Sequence, residues 1–381
     1  IIRSRRMRPL AALSSLSSIF NLLRPSTVHI VGDAYLDMLA KVEHLPEWDS
    51  DTMIETPIQT LAGGSALNTA VQLNSLLTSR RQRGQDRPFR RCVLHSRLGD
   101  DLYGDLVAAR IRKAGVQLSA VRRGGQGVCI CLSGERDRAF VSYKGTVSNF
   151  TVADLNQRLL FSRSSSHLHF AAYFDCVGLQ SAVPMLLKRA KACGATTSVV
   201  PQDDATDQWA GLHESLRSGL VDVLICNQKE AAGIAGVQYA SAVPTWDETD
   251  RVVQILQALG VPLIVLTLGP DGAIAMAADQ WWFQSTKPVA NPMDTTGAGD
   301  AFAAGFLFGW CGARDVRRGL VYGCACGSAA VGQLGGSDPL DAKAIEATMI
   351  REGSTGSFLF GPNSPELWET VSTAGASASS V

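Results

Sequence analysis

The stretch Asp294-Thr-Thr-Gly-Ala-Gly-Asp-Ala-Phe302 sets two glycines and a carboxylate directly before an uncharged run, Ala301 to Trp310, that reads as a buried helix. A helix N-terminus leaves N–H groups unpaired, with the positive end of the helix dipole behind them. Gly297 and Gly299 lack a Cβ, so a phosphate can approach the N–H groups of residues 297 to 299 closely. Asp300 accepts a proton well and ligates phosphate poorly. The combination suits phosphoryl transfer to a hydroxyl, with Gly297, Ala298 and Gly299 holding developing charge and Asp300 removing the alcohol proton. Two other readings compete. Asp300 could simply cap a helix after a glycine turn. Gly297-Ala-Gly299 also begins a dinucleotide-type G-x-G-x-x-G pattern, but Phe302 replaces the third glycine and the motif lies far from the N-terminus.

Further polar residues stand where apolar, strand-like runs end. Asp37 follows Gly32 by five residues, after Val28–Val31. Gly63-Gly64-Ser-Ala-Leu-Asn68 opens a helix, its glycines able to bring a polyol against backbone and Asn68 offering both a donor and an acceptor. Leu98-Gly-Asp-Asp-Leu-Tyr-Gly104 holds Asp100 in a polar turn. Asn227-Gln-Lys-Glu230 follows Val221–Cys226, and Glu230 is a hard oxygen donor suited to Mg²⁺ waters. Thr267-Leu-Gly-Pro-Asp-Gly272 follows another strand-like run, and its glycines allow the backbone to wrap a nucleotide. No G-x-x-x-x-G-K-[ST] occurs, so this is not a P-loop kinase.

Taken together, these motifs resemble those of the ribokinase-like, or phosphofructokinase-B type, carbohydrate kinases, over roughly Val28 to Ile345. The resemblance implies an ATP-dependent kinase that phosphorylates a hydroxymethyl group of a monosaccharide, ribose or fructose first. Asp300 would be the general base, and Asp37, Gly63, Gly64, Asn68 and Asp100 the sugar site. Asp100 either faces the sugar or orders its loop, and a lone Asp37 after a strand can equally be a turn residue. Asn227, Thr267, Gly269, Gly272 and Gly299 would bind ATP, with Glu230 holding Mg²⁺ through water. A K⁺ ion as activator is implied near Asp294, Thr296, Ala330, Gln333 and Gly335, where Ala330-Val-Gly-Gln-Leu-Gly-Gly336 could also be a purely structural loop. A nucleoside kinase using Tyr35, Phe140 and Tyr143 as a base platform, or a silent scaffold relative, are the alternatives. Two departures bear on the substrate. Ser65 stands where ribokinases usually carry Lys, and Ala171–Asp175 has no evident match to the Glu that ribokinases aim at the sugar.

The elements that must position these residues alternate. Apolar runs at Val28–Val31, Cys92–Ser96, His167–Ala171, Thr197–Val200, Val221–Cys226 and Leu263–Leu268 alternate with helical stretches such as Ser181–Cys193 and Asp247–Leu259. This is an α/β pattern, a central, mostly parallel sheet covered by helices on both faces. Strands within about 41–60 and 126–147, the second a hairpin turning near Gly134–Asp137, are expected to form a small β lid. The resemblance implies that two copies of the chain pair through that lid.

The kinase domain is expected over 27–350 of 381 residues. Hydrophobic content of 46% with 18% charged residues describes a globular chain, and zero net charge gives no support for nucleic-acid or membrane-surface partners. No apolar run is long enough to span a bilayer. The nine cysteines lack zinc spacing and read as thiols in a reducing, cytoplasmic setting. Residues 1–26 carry five arginines, many serines and no acid. They read as a disordered extension or as a transit peptide for a mitochondrion or plastid. Residues 79–91, with six arginines, read as a solvated loop insertion, and 351–381, rich in Ser, Gly, Thr and Ala, as a disordered tail.

Overall fold

A computed structural model describes residues 26–360 apart from 86, 135–137, 210, 241–243, 279 and 354–356. The expected extension and the end of the expected tail therefore lie outside the described residues. In chain order the strands are β1 (Thr27–Val31), β2 (Tyr35–Lys41), β3 (Gln59–Gly63), β4 (Arg91–Leu98), β5 (Gln117–Arg122), β6 (Val128–Ser133), β7 (Arg138–Tyr143), β8 (Ser165–Ala171), β9 (Thr196–Val200), β10 (Val223–Asn227), β11 (Leu263–Thr267), β12 (Gly272–Ala277), β13 (Gln280–Ser285) and β14 (Ser357–Phe360). The helices are α1 (Ser65–Gln82), α2 (Leu102–Lys113), α3 (Gln157–Leu160), α4 (Val177–Gln180), α5 (Val183–Ala192), α6 (Leu212–Arg217), α7 (Gln228–Ala235), α8 (Trp246–Ala258), α9 (Ala298–Ala313), α10 (Val316–Ala330) and α11 (Ala342–Gly353).

Ten strands form the main sheet in the order β14-β13-β12-β11-β10-β9-β8-β1-β4-β5. From β11 through β5 every pairing is parallel, while β12, β13 and β14 are added antiparallel. Both faces are covered, so the inner strands are buried on both sides, and β10 is apolar on both. On β10, Leu224 and Cys226 pack into one cluster with α5, α6, α7 and α8. Val223 and Ile225 face Phe302, Phe306 and Trp310 of α9 on the other side. β1 lies between β4 and β8, so the chain leaves it in both directions across the sheet, and a crevice opens at its carboxyl end.

α9 is apolar all round because it is enclosed all round. Its Ala301, Ala304 and Phe308 meet Ala66, Ala70, Leu73 and Leu77 of α1. α10 approaches so closely that a Cβ on Gly305 would stand 2.3 Å from the Tyr322 carbonyl oxygen. Burial of each large side chain on this helix stabilises the fold by about 1.5–3 kcal/mol. The glycine loop is thereby mounted on a helix buried along most of its length.

The second sheet runs β3-β2-β6-β7. The hairpin β6–β7 is where the sequence indicated, its residues 135–137 lying outside the described set. The first lid segment differs from expectation. No strand covers residues 42–58; pairing is made by β3, which overlaps the expected segment only at its end, and by β2, where the sequence reading placed no strand. Asp37 interrupts the apolar pattern of β2, and its carboxylate lies against Gly63 of β3.

Two other expectations need correction. The arginine-rich segment is no loop from residue 79, since α1 runs to Gln82 and Arg80 bonds to the Tyr322 hydroxyl of α10. Part of the expected tail is structured, as β14 pairs with β13 at the sheet edge. Among the described residues no helix is long and apolar enough to cross a membrane.

Candidate active site

Asp33, which leaves β1, receives the N–H groups of Ser65 and Ala66 at 3.0 and 2.8 Å. It caps the start of α1 in the place of the N-cap residue Gly64, whose φ of 104° only glycine adopts without strain. The cap fixes the direction of Ser65 and Asn68, one turn apart on α1. The Ser65 hydroxyl donates to Asp300 Oδ1 at 2.6 Å, and Asn68 Nδ2 donates to Asp300 Oδ2 at 2.8 Å. Gln202, in the loop after β9 and held at a φ of 63°, adds a longer contact from Nε2 to Asp300 Oδ1 at 3.4 Å.

Asp300 is therefore a buried carboxylate clamped by donors, not a helix cap. Its N-cap neighbour is Gly297. Burial pushes the Asp300 carboxyl up to about 6, and the Ser65 and Asn68 hydrogen bonds pull it the other way. A carboxylate that ionises near 6 is a competent base at neutral pH.

The two glycines of the loop have different reasons. Gly297 adopts a φ of 76°, and a Cβ there would lie 2.5 Å from Gly336 Cα. Gly299 meets nothing within 4 Å, so its side of the helix start is open. That opening belongs to a cavity of about 440 Å³ lined by Thr267, Gly269, Gly272, Thr295, Ala298 and Gly299, among others. The structure thus brings the expected nucleotide loop and the expected anion hole to one hollow. A larger hollow of about 570 Å³, lined by Lys191, Asp222, Trp310 and Arg314, lies at the other end of α9 and holds none of these residues.

On the side expected to take the sugar, Asp37 is lifted to about 6, mainly by burial and then by the charge of Asp294. Gly63 makes room for that carboxylate. A Cβ on Gly63 would stand 1.9 Å from Asp37 Oδ2. The space beside Gly63 is therefore taken by protein and not left for a polyol, while the space beside Gly64 is taken by Asp33. Asp100 orders its loop, accepting the Gly124 N–H at 2.9 Å from an exposed position. Beside it Asp101 caps α2 through Gly104 N, and Gln126 ties the same turn to the Ala34 carbonyl.

Asn227 and Glu230 form a capping box at α7. Asn227 Oδ1 accepts the Glu230 N–H at 2.8 Å and Glu230 Oε2 accepts the Asn227 N–H at 3.0 Å. The Asn-x-x-Glu spacing carries that signal by itself. Glu230 is buried and pushed up to about 7, mainly by burial, with Asp203 and Asp300 adding to the rise. A cation placed between these acids would relieve that repulsion. Asp294 accepts the N–H groups of Thr296 and Gly335, each at 2.9 Å, which locks the glycine loop to residues 331–336. The Ala330 carbonyl accepts Gln333 N at 3.1 Å, and the Gln333 side chain reaches the Asp338 carbonyl at 2.8 Å. The Asp294 carboxylate and the Ala330 carbonyl are hard oxygen groups of the type that would suit a monovalent cation.

The sequence reading missed Asp33, Ser65, Gln202 and Asp175 as members of this site. Asp33 was legible as a cap only through its partner helix, 32 residues on. Ser65 was noticed as a departure and not as a ligand of the base. Asp175 follows β8 and bonds to the lid residue Lys144 at 2.7 Å.

A model of the pfkB family carbohydrate kinases matches residues 26–343. The chain is 28% identical over 320 residues to an ATP-dependent ribose-1-phosphate kinase of Halopiger xanaduensis, covering 83% of this chain and 95% of that protein. It is 29% identical over 233 residues to a fructoselysine 6-kinase of Escherichia coli, covering 60% of this chain and 78% of the relative. The fold is shared with Arabidopsis thaliana ribokinase complexed with ribose and ATP, at a TM-score of 0.69 and 23% identity over 86% of this chain and 99% of that one. Matched by that family model along most of its length, the chain belongs to the pfkB family of carbohydrate kinases and is a phosphotransferase.

Proposed function

We propose that this protein transfers the γ-phosphate of ATP to a hydroxymethyl group of a monosaccharide, with ribose or fructose as the first acceptors to try. The observation that carries the reading is the clamp on Asp300. Ser65 and Asn68 hold its carboxylate at the mouth of a helix N-terminus, next to a cavity lined by Thr267, Gly269 and Gly272. ATP would lie in that cavity, with its transferable phosphate at the N–H groups of Gly297, Ala298 and Gly299. The acceptor would lie on the lid side, where Asp37 takes sugar hydroxyls and Asp300 removes the proton of the attacking oxygen. Relatives named as acting on ribose 1-phosphate and fructoselysine support a sugar acceptor while differing over which one.

Mg²⁺ would supply charge neutralisation on the phosphates, and Glu230 would hold its water shell. K⁺ would be held by the oxygens of Asp294, Thr296, Ala330, Gln333 and Gly335, ordering the loop rather than entering the reaction. The exposed apolar side chains Ile130, Val141 and Tyr143 share one face of the lid and support pairing of two copies there. Sedimentation of wild type against Val141→Asp tests that pairing.

The function is tested by ADP release with Mg-ATP and K⁺ against ribose, fructose, other ketoses and nucleosides. Turnover on a sugar with none on nucleosides is expected. Turnover on nucleosides alone would replace the sugar reading with the nucleoside one. Binding of ATP without turnover on any acceptor would favour a silent relative.

A further inference from the structure

The hollow at the far end of α9 opens at the amino end of the main sheet. Thr196 and Leu263, the first residues of β9 and β11, line it. The other ends of the same two strands serve the Asp300 site, through Gln202 after β9 and Thr267 on β11. Asp300 and Trp310 are separated by about 15 Å of helix. In an open α/β sheet the fold's own ligands gather outside the carboxyl ends of the strands, so phosphoryl transfer does not account for a hollow at the amino ends. Its volume of about 570 Å³ is in the range of small-molecule sites.

The charged residues of this lining, among those described, are Lys191, Asp222 and Arg314. Asp222 is fully engaged. Its Oδ1 accepts Lys191 Nζ at 2.6 Å, and its Oδ2 accepts the Thr197 N–H at 2.8 Å and the Thr197 hydroxyl at 3.2 Å. Lys191 is thereby neutralised. Arg314 has no carboxylate partner among the described residues, and its guanidinium lies over the Trp310 ring, 4.4 Å from the centroid. That stack orients the cation without cancelling its charge. Arg314 holds this place through a left-handed backbone, φ 58°, at the end of α9, where glycine or asparagine is the less costly residue. A cation would find little to bind, since the Ala190 and Lys191 carbonyls at the end of α5 already accept Ala195 N and Gly194 N at 3.0 and 2.9 Å. The other walls are mainly apolar, with Pro262, Leu263, Ala277 and Val316. We propose that this hollow is a second ligand site, for a small organic monocarboxylate with an apolar body, held by Arg314. One unpaired guanidinium matches one negative charge, and its planar fork suits a carboxylate. The apolar walls select a carbon body over a bare anion.

Three probes separate charge from body: 3-phenylpropionate carries both, 3-phenylpropanamide the body alone and acetate the charge alone. Calorimetric titration of the full chain, with a non-hydrolysable ATP analogue present to occupy the catalytic cavity, is expected to show saturable binding of 3-phenylpropionate. The amide should bind at least about tenfold more weakly for want of the charge-assisted hydrogen bonds. Acetate should be weaker by a similar factor, about tenfold or more, for want of buried apolar surface. In Arg314→Asn, which the left-handed backbone tolerates, 3-phenylpropionate should fall to the affinity of the amide. The melting temperature and binding of the ATP analogue are the folding controls. Trp310 supplies an independent locator: 3-phenylpropionate should change the intrinsic fluorescence, and Trp310→Phe should remove that change. No saturable binding of 3-phenylpropionate, equal binding of acid and amide, or an affinity unmoved in Arg314→Asn overturns the proposal. So does a fluorescence change that persists in Trp310→Phe, which would place the ligand elsewhere.

Discussion

The hydroxyl of Ser65 donates a 2.6 Å hydrogen bond to Oδ1 of Asp300, joining the first residue of α1 to the first turn of α9 across 235 positions of sequence. That bond and its neighbour from Asn68 aim the carboxylate and lower its proton affinity against the effect of burial. Asp300 can therefore be both enclosed and ionised near neutrality.

Asp300→Asn should reduce turnover by about 10²–10⁴-fold, the range expected for loss of a general base, while ATP still binds. Steady-state ADP release beside ATP titration checks this. Turnover near the wild-type value would remove Asp300 from the base role.

Ser65→Ala removes one charge-assisted donor, worth about 1.5–3 kcal/mol. Since that donor lowers the Asp300 pKa, its loss should move the acidic limb of the kcat/KM profile to higher pH. In the wild type the limb is expected near 6. A pH–rate profile with an unmoved limb would mean that Ser65 does not act on the ionising group.

Gly297 and Gly299 should respond oppositely to alanine. Gly297→Ala forces a side chain onto Gly336 at a φ of 76° and should cost at least about 1–3 kcal/mol of stability. Gly299→Ala enters open space in a helix and should stabilise the fold by about 0.5–1 kcal/mol, yet it should weaken ATP binding or turnover. Thermal melts paired with kinetics separate the two. A stable and fully active Gly299→Ala would show that no ligand approaches the helix there.

Glu230→Gln keeps the capping arrangement, because Gln can also accept the Asn227 N–H. Its melting temperature should stay within a few degrees of wild type, while the Mg²⁺ concentration needed for half-maximal rate rises. An unchanged Mg²⁺ requirement would leave Glu230 with a structural role alone.

Stability should fall in acid through four histidines buried in the main sheet. His29 bonds to His95 at 2.9 Å and to Ser165 at 3.0 Å, while His167 and His169 share the Ser198 hydroxyl. Burial lowers His29 to about 4 and His95 and His169 to about 3. A folded pKa below the unfolded value near 6.5 means that this stability is complete above 6.5 and is lost as pH falls toward 4 and 3. For His29 the loss is on the order of 3 kcal/mol. The raised carboxyls act with the opposite sign: Asp33 near 7 and Asp37 near 6 lend stability that is full below about 4 and is lost as pH rises through those values. Melts from pH 8 to 4 on wild type and His29→Gln check the histidine part, with a shallower acid fall expected in the variant.

Much of the site could be read from the chain because it is local. The glycine loop with Asp300, the Asn227–Glu230 capping box and the strand ends at Gly32 and Thr267 each lie within a few residues, where backbone geometry follows directly from residue type. The alternation of apolar runs likewise determined an α/β architecture with a lid. What joins distant segments was decided by tertiary packing. Asp33 capping α1, Ser65 and Asn68 clamping Asp300, and Asp175 meeting the lid all depend on which strand end falls beside which helix start. β2 escaped notice because its Asp37 interrupts the apolar pattern, and the carboxylate finds its space only where Gly63 of the neighbouring strand has no side chain. Residue spacing carries the chemistry of one segment. The charge and shape of the cleft arise only when segments far apart in sequence fold against one another.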